Sequence, residues 1–143
     1  MIASMTSCIF CEIAAGRADS TKVLEDETCL ALMDIHPINA GHVLVVPKAH
    51  ATDLSDLPAE NGGRMFQMAQ VVANALMKSE VKCEGVNLML AHGKAAGQEV
   101  FHVHLHVIPR YRGDNLKIRF NLLKLRPTRA ELDRIAAQIR HGL

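Results

Sequence analysis

The sequence predicts an α+β fold: a mainly antiparallel five-stranded sheet with one long helix and one C-terminal helix. Three observations carry this expectation. Residues 58–79 and 128–139 repeat apolar side chains at three- and four-residue spacing, the signature of a helix with one buried face. Five short runs rich in apolar and β-branched residues lie between turn-forming residues. The order, a hairpin, a strand, the long helix, two strands and a helix, lacks the regular strand-helix alternation of a doubly wound sheet.

Each element has its own signal. Ile9, Phe10, Ile13 and Ala14 recur at helical spacing, and Gly16 can end that short helix in the left-handed conformation open to glycine. Val23 to Glu25 and Cys29 to Met33 read as a hairpin joined by Asp26-Glu27-Thr28 and closed by Asp34. Pro37 and Gly41 bracket a turn into His42-Val43-Leu44-Val45-Val46, a β-branched run cut off by Pro47 and read as a central strand. From about Pro58 to Ser79 the apolar positions Met65, Met68, Ala69, Val72, Ala75 and Leu76 mark the longest helix, its start blurred by Gly62-Gly63. Val86 to Ala91 and Val100 to Ile108 read as neighbouring strands separated by the glycine-containing loop 92–99. Thr128 and Glu131 have the T-x-x-E spacing of a capping box, and Leu132, Ile135, Ala136 and Ile139 follow on one face.

A chain of 143 residues with 49% apolar content can build one core, so one domain is expected over 1–143, with its motifs in 8–112 and a basic extension and helix in 113–143. The first ten residues lack the basic start and apolar run of a signal peptide, and no segment approaches the roughly 18 apolar residues of a membrane span. An unexported, cytoplasmic protein with no membrane partner is expected. Cys29 and Cys83 fall in apolar stretches where a thiol acts as a small hydrophobe, which fits a reducing compartment. A net charge of +1 argues against nucleic acid as a partner. Charge is nonetheless concentrated in 110–129, where Arg110, Arg112, Lys117, Arg119, Lys124, Arg126 and Arg129 face one acid, Asp114. That stretch reads as a solvated face, or as steering for a polyphosphate ligand or an acidic partner surface.

The chemistry is concentrated in His102-Val103-His104-Leu105-His106. Side chains alternate across a strand, so the three histidines share one face while Val103, Leu105 and Val107 point to the other. Imidazoles about 7 Å apart along a strand would repel one another if all were charged, so some must be neutral or tied to a cation. Two readings follow. The face is a metal site, or it is a nucleophilic site in which a neutral imidazole attacks phosphorus while its other nitrogen donates to a backbone carbonyl. In the second case the neighbouring histidines donate to phosphoryl oxygens or to the leaving group.

The run Phe101-His102-Val103-His104-Leu105-His106-Val107-Ile108-Pro109-Arg110 resembles the signature of the histidine-triad (HIT) family. Four upstream segments also resemble family segments, in order: Cys8 to Ile13, Leu32 to Pro37, Gly41 to His50, and Ala96-Gly97-Gln98. The resemblance covers roughly 8–112 and implies a HIT-like fold, a homodimer, and hydrolase or nucleotidyl-transferase chemistry at the α-phosphate of a purine nucleotide. It implies that His104 is the nucleophile, forming a covalent nucleotidyl-histidine, and that His106 bonds the phosphate or bridging atom. Gln98 and the adjoining backbone, Gly97 included, would bind phosphate. Asp34 would accept the ribose hydroxyls, a task suited to a carboxylate with two acceptor oxygens. Ile9, Phe10, Ile13, Leu32 and Ile35 would surround the base, and Asn87 would lie near the sugar and phosphate.

Glu99 departs from several relatives, which carry serine or threonine beside the leaving group, so their choice between phosphoramidates and dinucleoside polyphosphates does not transfer. The resemblance further implies a structural zinc held by Cys8, Cys11, His50 and His102, which would leave His104 and His106 free. The alternative leaves two buried thiols, with His50 near the phosphate. His36, His42, His92 and His141 receive no role. Two rival functions are a nucleotide- or zinc-binding regulatory module with negligible turnover, and a metalloenzyme that uses all three triad histidines as ligands.

Overall fold

The computed structural model describes residues 8–114, 116 and 125–143. Its elements are α1 (Ile9–Ala14), β1 (Lys22–Glu25), β2 (Cys29–Met33), β3 (Val43–Pro47), α2 (Ala59–Lys78), β4 (Gly85–Met89), β5 (Leu105–Arg110) and α3 (Arg129–Arg140). The strands form one sheet in the order β1-β2-β3-β5-β4, and every neighbouring pair is antiparallel. The expected five-stranded α+β architecture is the one observed.

Strict alternation gives the sheet two apolar faces. Cys29, Ala31, Val43, Val45, Val103, Leu105 and Val107 pack with the Met65, Met68, Ala69, Val72 and Leu76 stripe of α2. The intervening Leu30, Leu32, Leu44 and Val46 point the other way and bury Phe10 and Ile13 of α1. At roughly 1.5 to 3 kcal/mol for each fully buried large apolar side chain, the α2 face supplies the larger share of the driving force. The α1 layer is small because six residues cannot cover a five-stranded sheet. The uncovered part of that face is where the cavity lies.

Boundaries shift where hydrogen bonding overrides pattern. The last strand begins at Leu105, not Val100, so His102 and His104 precede it in a bent segment held by the Val103 N–H to Ala51 carbonyl bond of 2.8 Å. A short 3₁₀ turn, Lys94–Ala96, occupies the loop before it. The long helix starts at Ala59 despite its two glycines, because Pro58 sits at its N-cap with the fixed φ that suits a helix entry. Thr128 and Glu131 close both bonds of the capping box on α3. Gly41 has φ +96°, and a Cβ there would stand 2.7 Å from Val81 Cγ1, so the turn that delivers His42 into the sheet requires glycine on two counts. Among the described residues no helix is long and apolar enough to cross a membrane.

Arg110 donates to both carboxylate oxygens of Asp114, to Asn87 Oδ1 and to the Leu116 carbonyl. Its guanidinium is therefore committed within the fold, which removes it from any free basic stripe. Lys117, Arg119 and Lys124 of the 110–129 stretch lie outside the described residues.

Candidate functional site

A cavity of about 620 Å³ opens on the α1 face of the sheet. Its floor crosses β2, β3 and β5 and reaches Met89 at the end of β4, so residues from seven separate segments meet there. Ile9, Phe10, Ile13, Leu32, Asp34, Ile35, Gly97, Gln98, Glu99, His104 and His106, eleven of the expected residues, all line it. The lining is mostly apolar with a few convergent polar groups, the usual make-up of a small-molecule site.

The protonation of its histidines follows from their fixed partners. His104 Nδ1 lies 2.8 Å from the His102 carbonyl oxygen. A carbonyl only accepts, so Nδ1 carries a proton, and in the neutral ring Nε2 keeps the free lone pair. Phe10 packs at 5.4 Å from the His104 ring centroid and limits its rotation.

His106 is set by a longer relay. The Ile38 N–H donates to His42 Nδ1 at 3.1 Å, which places the neutral His42 proton on Nε2. His42 Nε2 is 2.9 Å from His106 Nδ1 and 3.5 Å from Asp34 Oδ2. His106 Nδ1 must therefore accept, and its remaining proton sits on Nε2. Burial pushes His106 down to about 4, with the nearby His104 and His42 adding to the shift, and burial lowers His42 as well. The cavity thus presents one bare imidazole nitrogen and one imidazole N–H, on rings whose centroids are 4.9 Å apart.

His42 was given no role in the sequence reading, yet it is 1% exposed and central to the site. The signal available in the sequence was alternation, which puts His42 and Leu44 on one face; the register came from the fold. Leu44 pairs with His106, so His42 lies two residues along β3 on the same face, a diagonal neighbour. His36 also lines the cavity, whereas His92 and His141 do not.

Two expected contacts take a different form. The Gln98 amide donates to the Thr52 and Val100 carbonyls and accepts from the Gly93 N–H. Both of its donors are spent, so this side chain shapes the loop and offers no N–H to a phosphate. Asn87 shares a sheet face with His106 through its pairing with Ile108, but its carbonyl is engaged by Arg110 and it does not line the cavity. Asp34 Oδ1 accepts from the His36 N–H at 2.8 Å, while Oδ2 faces His42. Glu99 is exposed at the loop edge of the cavity.

Cys8, Cys11, His50 and His102 converge at one end of α1, with all four ligand atoms within 4.8 Å of one another. Four of the six separations run from 3.1 to 3.6 Å. A tetrahedral zinc with bonds of about 2.0 to 2.3 Å spaces its ligands by roughly 3.3 to 3.8 Å, so the four residues fit that ion. His102 Nε2 donates to the Pro47 carbonyl at 2.8 Å, fixing the tautomer whose Nδ1 faces the thiols. Burial, with the adjacent Cys8 thiol, raises Cys11, so the protein alone does not hold a thiolate there. Asp34, His42 and His106 also bring three ligand atoms together. Those residues do not suit a cation, because the Ile38 N–H leaves His42 Nε2, the nitrogen that faces the other two, protonated and without a lone pair to offer.

Fold and site define an α+β protein with a histidine-lined cavity on one sheet face. The HIT domain family model matches residues 15–113, and the chain belongs to the HIT family. It is 40% identical over 129 residues to an uncharacterised HIT-like protein of Mycobacterium tuberculosis, covering 90% of this chain and 89% of that one. It is 35% identical over 132 residues to the adenylylsulfatase HINT3 of Arabidopsis thaliana, covering 92% of this chain and 65% of that protein. Among solved structures, a HIT family protein of Bacillus anthracis superposes with a TM-score of 0.87 at 39% identity, over 96% of this chain and 98% of that one. A zinc-bound histidine triad family protein of Mycobacterium smegmatis gives 0.76 at 40% identity, over 96% and 98%. A histidine triad nucleotide-binding protein of Candida albicans gives 0.83 at 26% identity, over 95% and 96%.

Proposed function

We propose that this protein cleaves purine nucleotides at the α-phosphate by way of a nucleotidyl-histidine. The observation that carries the reading is the pairing of a bare His104 Nε2 with a protonated His106 Nε2 in one cavity. A nucleophile and a hydrogen-bond donor side by side are what displacement at phosphorus needs. The Candida albicans and Arabidopsis thaliana relatives support a nucleotide as ligand and hydrolysis as reaction.

The base would lie between Ile9, Phe10, Ile13 and Leu32, leaving water as it does so. Asp34 would accept from the ribose hydroxyls through its less occupied oxygen. His104 Nε2 attacks the α-phosphorus and forms an N–P bond. The bond to the leaving group breaks and its electron pair goes to the departing atom, which takes a proton from solvent while the neutral His106 Nε2–H donates a hydrogen bond to it. Water then attacks phosphorus and gives its proton to solvent, and the N–P bond breaks with its electron pair returning to His104 Nε2. Main-chain N–H groups of the loop that Gln98 holds would meet the phosphoryl oxygens. Cys8, Cys11, His50 and His102 would hold zinc, which when bound supplies a structural cross-link and no chemistry at the phosphate. We place the protein in the cytoplasm as a homodimer whose single domain carries this site.

The test is intact-protein mass after brief incubation with a purine nucleoside 5′-phosphoramidate or a dinucleoside polyphosphate, quenched in base. A nucleotidyl adduct in the natural protein and none in His104→Ala is expected. Nucleotide binding with neither adduct nor free mononucleotide would overturn the enzymatic reading in favour of a binding module.

A further inference from the structure

The cavity has a polar group at its far end that nothing above uses. Asp19 and Ser20 line it, on the segment that leads from α1 into β1. The Thr21 carbonyl accepts from the Met33 N–H at 2.8 Å, which fixes this segment beside the end of β2. Asp19 is exposed and takes part in none of the ion pairs among the described residues.

Sheet order sets the distance from the histidines. His106 is on β5, and β3 and β2 intervene before the β1 edge. Three strand spacings of about 4.8 Å make roughly 14 Å, and a purine nucleoside monophosphate in that span, with its phosphate at β5 and its ribose at Asp34 on the way, brings the base edge remote from the sugar to Asp19 and Ser20. The remote edge of guanine offers two parallel donors, N1–H and the 2-amino group. That of adenine offers one amino donor beside an acceptor nitrogen. An ionised carboxylate only accepts, so it matches the first edge with two charge-assisted bonds and meets a lone pair on the second.

We propose that Asp19 is a specificity-determining residue that selects guanine over adenine. The inference rests on the nucleotide reading of the cavity. Its test is calorimetric titration of the full chain with guanosine and adenosine 5′-monophosphates, for the natural protein, Asp19→Asn and Asp34→Asn. Guanosine monophosphate is expected to bind about tenfold tighter in the natural protein, the magnitude of one hydrogen bond to a charged group. Asp19→Asn, whose amide pairs a donor with an acceptor, is expected to abolish or invert that ratio. Asp34→Asn is expected to weaken both nucleotides alike. Equal binding of the two nucleotides, unchanged in Asp19→Asn, would overturn the selection by Asp19 and leave the nucleotide reading intact. Binding of neither would overturn both.

Discussion

His42 Nε2 lies 2.9 Å from His106 Nδ1, and the proton between them belongs to His42 because the Ile38 N–H occupies its other nitrogen. One backbone amide on the turn before β3 therefore decides which nitrogen of His106 faces the cavity as a donor. His42 is a positioning residue in this arrangement, acting on the reaction only through His106.

Replacing His42 should slow turnover without weakening binding. His42→Ala removes the donor that fixes His106, so kcat is expected to fall by about 10²-fold, in the range of a lost transition-state hydrogen-bond donor, with KM nearly unchanged. His42→Gln, whose amide can still donate, should restore part of the rate. Steady-state kinetics of both variants check this, and a rise in KM at constant kcat would sink the positioning role.

Stability should fall with acid. His106 binds its proton at about 4 in the fold against an ordinary 6.5. Between those values the unfolded chain takes up protons that the folded chain refuses, so stability is fully present above pH 6.5 and declines as pH falls toward 4. His42 shifts the same way. Each imidazole contributes at most about 1.4 kcal/mol per pH unit in that window. Urea unfolding from pH 7.5 to 4.5 reads the slope, and His106→Gln should flatten it.

The fold should depend on zinc. With free ion about a thousandfold above its dissociation constant, binding adds about 4 kcal/mol, or roughly 10 °C in Tm for a domain of this size. A chelator or Cys8→Ser is expected to remove that increment together with one equivalent of bound metal. Metal content and thermal unfolding measured on the same samples check it, and an unchanged metal content in Cys8→Ser would contradict the assigned ligands.

Gln98 should matter through the loop it pins. Gln98→Glu replaces an amide that donates to the Thr52 and Val100 carbonyls by a group that only accepts, and the side chain is 4% exposed. A loss of about 2 kcal/mol in unfolding free energy is expected, from two partly buried acceptors left without a donor. Denaturant titration measures it. A variant as stable as the natural protein would show that the loop does not need the clamp.

The order of elements, the two sheet faces and the helix stripes were legible in the sequence, because periodicity is local and each run carries its own signal. The triad, the Cys8-Cys11 pair and half of the cavity lining were legible for a related reason: short motifs keep their spacing. What the sequence could not show is where each polar atom finds its partner. His42 meets His106 across 64 positions, His102 meets Cys8 across 94, and Asn87 turns to Arg110 across 23. Hydrogen bonds are short and directional, so strand register and loop path alone decide which of many possible partners a side chain reaches. By itself the sequence determined which residues share a face; the tertiary structure decided which nitrogen is bare, which carries the proton, and which amides are already spent.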